Sequence, residues 1–294
     1  MELREVSSVP ALAPMFARAA LTQRGRPGRD GHLPNHGLRL TGVDVDRGHL
    51  LDYQHLCRFA GGDVLPHTYP HVLGFPLQVQ LMADRAFPLP LPGLVHLENH
   101  ITVHRLLTAD DRLDLTVHAA DLRPHAKGTL VDLVTEVDVD GERVWEGRST
   151  YLRRGRGDAN AVAGQAPPAL PDGPPVGLLR LPEGLGRSYA AVSGDVNPIH
   201  LHALSAKAMG FPRAIAHGMW TAARTLATLG TAASGPSTST VWFRKPVLLP
   251  STVQVVVDDS HDRHGLVDRH GRVVAGLRSG GDPVREHLVL TLET

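Results

Sequence analysis

YAAVSGDVNPIHLHALSAKAMGFPRAIAHGMW, residues 189–220, decides how the rest of the chain is read. It packs Asp195, Asn197 and His200 into six residues around Pro198, then places His217-Gly218 at the head of an apolar helical pattern. Ser193-Gly194-Asp195 and Asn197-Pro198 are turn chemistry: Gly, Asp and Asn tolerate unusual backbone angles, and Pro198 biases Asn197 away from helix. A sharp turn brings Asp195 and His200 together without help from helical or strand spacing. A carboxylate and an imidazole so placed can hold a water between them, one taking a proton and the other giving one, which is general acid–base work near neutral pH. Asn197, with a donor and an acceptor on one side chain, either orients one of them or simply forms the turn.

Downstream, Met219, Ala222, Ala223, Leu226 and Leu229 recur near helical spacing, and Gly230 supplies a stop. A helix starting near Gly218 points unpaired N–H groups and the positive end of its dipole at whatever lies before it. An oxyanion suits that place. An acid/base pair facing a helix N-terminus meets the needs of reversible water addition beside a thioester carbonyl, where the enolate-like charge requires donors and water requires a base.

Tyr189 to His200 resembles the signature of the MaoC-like dehydratases, which include the (R)-specific enoyl-CoA hydratases, with pattern Y-x-x-x-S-G-D-x-N-P-I/L-H. Ile215-Ala216-His217-Gly218-Met219 resembles the family's second motif, and Phe243-Arg244-Lys245-Pro246-Val247 a third. The resemblance implies an α+β double hot-dog fold, each unit a long helix wrapped by a curved antiparallel sheet. It also implies that Asp195 and His200 activate water and that the Gly218 N–H holds the thioester oxygen. One departure is visible: the family often has an Asp two residues after the His, where this chain has His202, read here as loss of a cap.

The 294 residues suffice for two domains of ordinary size. A hydrophobic fraction of 42% suits a globular protein, and a formal net charge of +0 gives no broad electrostatic case for nucleic acid or membrane binding. Cys57 is the one cysteine, which excludes an internal disulfide, agrees with a reducing cytoplasm and reads as a buried bystander. The N-terminal segment lacks the ordered pattern of a secretory peptide, and no apolar run approaches the roughly 20 residues that span a bilayer.

Along the chain, residues 1–35 read as a helical or irregular lead-in, 38–47 as a strand, 50–61 as a short helix, and 76–86 as a helix stopped by Pro88, Pro90 and Pro92. From Leu94 the pattern alternates as strands, with Asp140-Gly141 marking a hairpin. Residues 156–177, rich in Gly, Ala and Pro, read as a linker. Beyond it come a strand at 178–182, the turn, a short helix at 204–209 and the helix from Gly218. Strands follow near 238–246, 252–258, 267–278 and 283–293, with turns at 262–265 and 279–282. Residues 101–117 can be laid against 241–257, and His71 to Gly74 against His217-Gly218, as a weak internal repeat. The expected organisation is a degenerate hot-dog unit at 1–155, the linker, and a catalytic unit at 178–294. The chain is then a pseudo-dimer with one active site, and further pairing into a homodimer stays open. The proline-bounded helix at 76–87 suggests room for a long or bulky acyl chain in the first unit.

Other candidates divide between functional and structural roles. His217 either contacts substrate or makes a structural hydrogen bond. Arg244 and Lys245 either meet the phosphates of coenzyme A or the phosphopantetheine arm of a carrier protein, or are solvated strand-end charges. His96, His100 and His104 sit at four-residue steps, but on a strand such positions lie roughly 13 Å apart, too far to share one ion. No flavin, nicotinamide or metal requirement is indicated. The function expected is (R)-specific hydration or dehydration of trans-2-enoyl and (3R)-3-hydroxyacyl thioesters on CoA or acyl carrier protein. The alternatives are a hot-dog thioesterase and a non-catalytic acyl-thioester binding protein.

Overall fold

The computed structural model describes residues 1–12, 14–16, 26, 28, 31–258 and 271–294. Its strands are β1 (Glu2–Glu5), β2 (His36–Val43), β3 (Leu94–Val103), β4 (Leu113–His125), β5 (Gly128–Val139), β6 (Glu142–Arg154), β7 (Gly177–Leu181), β8 (Ser237–Phe243), β9 (Ser251–Val257), β10 (Arg272–Ser279) and β11 (Glu286–Glu293). The helices are α1 (Arg47–Cys57), α2 (Tyr69–Ala83), α3 (Leu185–Ser193), α4 (Pro198–Leu201), α5 (Ala203–Ala208) and α6 (Gly218–Thr228). The turn expected at 262–265 and the start of the strand expected from 267 lie outside the described residues.

All eleven strands join one sheet in the order β1-β2-β4-β5-β6-β3-β8-β11-β10-β9-β7. Leaving β1 aside, the sheet reads as two halves with the same internal order: the first, third, fourth, fifth and second strand of each. The halves meet where β3 pairs antiparallel with β8, from Glu98 opposite Trp242 to Val103 opposite Ser237. This is the double hot-dog: α2 packs on the strands of the first half and α6 on those of the second. One apolar cluster, including Ile101, Trp145, Leu226, Val241 and Leu290, runs across the junction.

The duplication extends beyond the strands. Tyr53 stands four residues before Cys57 and Tyr189 four before Ser193, and each helix then ends on a left-handed residue, Arg58 (φ 65°) and Gly194 (φ 71°). The two tyrosine rings lie 6.4 Å apart. Cys57 thus occupies the place of Ser193. It is buried, and burial pushes its thiol up to about 12, which leaves it an inert packing group.

Several expectations are corrected. β1, four exposed residues pairing parallel with β2, was not foreseen, because ELRE shows no apolar alternation. The helix expected at 76–86 begins at Tyr69, with Pro70 in its first turn and Pro76 inside it. It is therefore longer than α6, and the idea of room left by a shortened helix loses its premise. Phe87, Leu89 and Leu91, beyond its end, fill a second apolar cluster. Because α2 starts at Tyr69 with Thr68 as its cap residue, the counterpart of His217 is Thr68 rather than His71. Residues 156–176 carry no helix or strand, but they are not a free tether. Leu170 is buried against Trp242, Val256 and Val289, and the Gln165 carbonyl accepts from Trp242 Nε1. No helix among the described residues is long and apolar enough to cross a membrane.

Two fully enclosed histidines give the fold a pH dependence. Burial lowers His67 to about 3, with His100 adding to the effect, and burial lowers His71 to about 4. Both are neutral in the fold, whereas in the unfolded chain they protonate near ~6.5, so unfolding takes up protons below that pH. Stability is therefore complete above pH ~6.5 and is lost progressively as pH falls towards ~4. Thermal unfolding followed by circular dichroism across this range should show a melting temperature that declines on acidification; an unchanged melting temperature would contradict the burial of these rings.

Candidate active site

The site is assembled from three consecutive pieces of chain. The first is α3, which ends at Gly194 in the left-handed conformation and throws Asp195 out of the helical path. In the sequence this helix shows only as part of the turn, although Gly194 marks its end. The second is α4, four residues long, opened by Pro198 with Asn197 as its cap and carrying His200. The third is the extended segment before α6. There the Ala216 N–H donates to the Val247 carbonyl and the Leu249 N–H to the Ala214 carbonyl, so the chain enters α6 from a fixed direction.

These pieces bring Asp195, His200 and His217 together: one donor atom from each lies within 4.8 Å of the others. The His200 and His217 rings stack with centroids 3.7 Å apart. His200 Nδ1 lies 2.8 Å from the Ile215 carbonyl, which only accepts, so Nδ1 carries the hydrogen and Nε2 keeps its lone pair. Asp195 Oδ1 accepts from the Asn197 backbone N–H at 3.1 Å. Its side chain keeps 23% of its surface open, enough for a small reactant to reach one face.

His217 stands at the cap position of α6 without a side-chain cap bond, and its ring makes a structural hydrogen bond elsewhere. Its Nε2–H donates to the Asp195 main-chain carbonyl at 3.0 Å, with Asp195 Oδ2 at 3.8 Å, and its ring leans on Tyr189 at 4.9 Å. Its Nδ1 is buried with no hydrogen-bond partner among the described residues. Asn197 likewise serves the turn: its Oδ1 accepts from the Ile199 N–H at 3.5 Å, and only its backbone touches Asp195. Gly218 is the first helical residue, so its N–H has no acceptor within α6. The edge of Phe243 lies 3.0 Å from where a Gly218 Cβ would be, so a side chain there would crowd that ring. His202 makes no side-chain cap bond, in keeping with the loss of a cap at that position.

Arg244 and Lys245 are not part of the cluster. Both are exposed just beyond Phe243; Arg244 lies 3.7 Å from Glu286, and the Lys245 carbonyl accepts from His287 Nδ1. The histidines at four-residue steps also part company. His96 stacks on Tyr151, His100 bonds Thr240, and His104 stands 3.4 Å from Glu146. Asp195, His200 and His217 have donor types that a cation accepts, although the Nε2–H of His217 is committed to a carbonyl.

Burial shapes the ionisation of the pair. Burial raises the Asp195 carboxyl above its ordinary value, with the His200 charge and the Asn197 amide pulling the other way. Burial lowers the His200 imidazole, opposed by Asp195 and the Ile215 carbonyl. His217 is held well below its ordinary value by burial and then by His200, so it stays neutral. Burial thus favours the protonated carboxyl of Asp195 and the neutral imidazole of His200.

The fold and the cluster at the head of α6 define a duplicated hot-dog protein. Residues 180–277 match the MaoC like domain, and residues 58–147 the FAS1-like dehydratase domain region. The chain is 38% identical over 232 residues to 3-hydroxyacyl-thioester dehydratase X of Mycobacterium tuberculosis, covering 78% of this chain and 82% of that protein. The crystal structure of HtdX from Mycobacterium tuberculosis has a TM-score of 0.75 at 33% identity, over 87% of this chain and 99% of the other. A MaoC-like dehydratase from Phytophthora capsici shares the fold, with a TM-score of 0.67 at 18% identity over 89% of this chain and 95% of the other. The chain belongs to the MaoC-like dehydratase family and is a hydro-lyase.

One structural requirement escaped the sequence reading. A Cβ on Gly186 would fall 1.9 Å from the His200 carbonyl oxygen, so α3 and α4 touch only because residue 186 has no side chain. Gly186→Ala must part the helices that carry Asp195 and His200. It is expected to cost about 1–3 kcal/mol in stability and to reduce turnover. A variant with wild-type melting temperature and rate would show that the contact does not hold the site.

Proposed function

We propose that the chain hydrates trans-2-enoyl thioesters and dehydrates (3R)-3-hydroxyacyl thioesters, carried on CoA or acyl carrier protein, with Asp195 and His200 as the acid/base pair. The observation that carries this reading is the convergence of the two side chains beside the first amide of the buried helix α6. In hydration, His200 Nε2 takes a proton from water as the water oxygen bonds to C3. The π electrons move through C2 onto the thioester oxygen, where the Gly218 N–H stabilises the enolate charge. The enolate then collapses as C2 takes up the proton that Asp195 delivers. Dehydration runs the same steps backwards. The working state holds one proton between the pair, so the rate should fall both when the pair gains a second proton and when it loses the last.

The division into a degenerate unit at 1–155, a connecting segment at 156–177 and a catalytic unit at 178–294 belongs to this reading. It is supported by the repeated strand order and by the absence of an Asp-x-Asn-Pro-x-His turn from the first half. Asp195→Asn and His200→Ala should each lower kcat for crotonyl-CoA hydration by roughly 100-fold or more, with (3R)-3-hydroxybutyryl-CoA as the wild-type product. Wild-type rates in both variants would end the assignment. Release of free thiol would instead indicate a thioesterase, and saturable binding without turnover a binding protein.

We assign Arg244 and Lys245 to the phosphates of the carrier, a reading supported by their exposure within two residues of the ring that flanks Gly218. Reversing both charges should raise KM for a CoA thioester by about tenfold while kcat changes little. An unchanged KM would return them to the role of solvated strand-end charges.

A further inference from the structure

The carbonyl of Val192 is left over where α3 ends. In a continuing helix it would accept from the N–H of residue 195 or 196. Here the Asp195 N–H donates to Ser193 Oγ at 3.2 Å and the Val196 N–H to the Gly194 carbonyl at 2.9 Å, so both local donors are spent on the turn that Gly194 opens. The missing donor comes from the other half of the chain. His49 Nε2, in the first turn of α1, lies 2.7 Å from the Val192 oxygen. A side-chain N–H from a separate element thus closes the last turn of α3, three residues before the carboxyl group of Asp195.

The direction of each hydrogen bond is fixed. A carbonyl only accepts, so Nε2 carries the hydrogen and Nδ1 keeps its lone pair. Nδ1 then accepts from the Tyr69 hydroxyl at 2.8 Å, and burial, with the Asp46 charge adding to it, holds that phenol protonated. Tyr69 opens α2 and is fully buried, its ring tilted against His49 at a centroid distance of 5.7 Å. The main chain of His49 is held as well, its N–H donating to Oδ1 of the cap residue Asp46 at 3.1 Å. His49 is clamped at backbone and ring, so it ties the end of α3 to a fixed point.

We propose that His49 is a positioning residue for Asp195, holding the end of α3 where the carboxyl group meets His200 and His217. The proposal rests on the dehydratase reading above and deepens it, giving the first half a part in a site whose proposed acid/base pair comes from the second. The hydrogen bonds of the ring go to Tyr69 and Val192, so it acts through the helix end. Asp195 follows Gly194 directly, and its main-chain carbonyl is the acceptor for His217 Nε2. A last turn released from His49 lets that carbonyl, and the carboxyl group with it, move away from the two imidazoles.

Two substitutions separate this role from plain support of the fold. In His49→Gln the amide nitrogen reaches the place of Nε2, which keeps a donor for Val192 and gives up the acceptor for Tyr69. In His49→Asn the shorter amide reaches only the place of Nδ1, which keeps an acceptor for Tyr69 and gives up the donor for Val192. Each variant loses one neutral hydrogen bond, so their melting temperatures should fall alike. In crotonyl-CoA hydration the Asn variant should lose about tenfold in kcat with KM within about twofold of wild type, whereas the Gln variant should stay within about threefold in kcat. His49→Met fills the ring's place without a donor; it serves if the Asn variant does not fold, and should show the same low kcat. A wild-type kcat without the donor, or equal losses with and without it, would overturn the proposal. Wild-type turnover reports separately on the dehydratase reading. If the wild type turns over no thioester, that reading fails and crystal structures of the variants decide the positioning alone. The bond from His217 Nε2 to the Asp195 carbonyl should persist in the Gln variant and break in the Asn or Met variant; its survival in all of them would end the proposal.

Discussion

Burying the N-terminus of a helix leaves amide donors without acceptors, and that constraint organises the second half of this protein. α6 packs on the strands of its own half, and residues 219–223 are buried behind a partly exposed Gly218. His217, at the cap position, uses its ring to hold the Asp195 carbonyl instead of capping its own helix. The turn that carries Asp195 and His200 is thus tied to the helix end by a bond made outside the helix. The Gly218 amide has no acceptor within its own helix, and the same contact holds Asp195 near the helix end.

The two halves share a stretch of local structure. α1 and α3 keep the tyrosine, the buried small residue and the left-handed terminator, and Tyr53 and Tyr189 lie close to one another. After that point they diverge. The second half turns at once through Asp195 and Asn197 into α4, whereas the first runs through Gly61-Gly62-Asp63 to His67, which hydrogen-bonds Ser239 across the junction. His49 also crosses, with Nδ1 at 2.8 Å from the Tyr69 hydroxyl and Nε2 at 2.7 Å from the Val192 carbonyl. Polar groups of the first half have become struts that support the last turn of α3, one step before Asp195.

Much of this could be read from residues alone because the signals were local. The turn at Asp195 to Pro198, the start of α6 at Gly218 and the hairpin at Asp140-Gly141 each follow from what Gly, Pro, Asp and Asn do to their own backbone. The start of α2 could not, since Pro76 reads as a helix boundary and its tolerance inside a buried helix depends on packing. Gly186 carried no sequence signal, because the demand for a missing side chain comes from the carbonyl of His200, fourteen residues away. His217 was singled out, yet whether its ring met substrate or backbone depended on a partner twenty-two residues upstream.

The polar seam at His96 is the furthest from sequence. Period-two alternation puts residues 96 and 99 on opposite faces of a strand, and only the extra residue at Leu97 turns both inward. Such a bulge interrupts the ladder, and here it also buries two polar atoms that the protein leaves unpaired. A fold that keeps a locally unfavourable arrangement next to its reactive centre has its stability set by two demands at once, a continuous apolar core across the β3–β8 junction and a polar surface at one end of it. The core spans the junction, through Ile101, Trp145 and Val241, and the polar groups gather where Phe243 meets Gly218. That division sets the cluster of Asp195, His200 and His217 at the mouth of one helix and two unpartnered polar atoms on the strand of the other half.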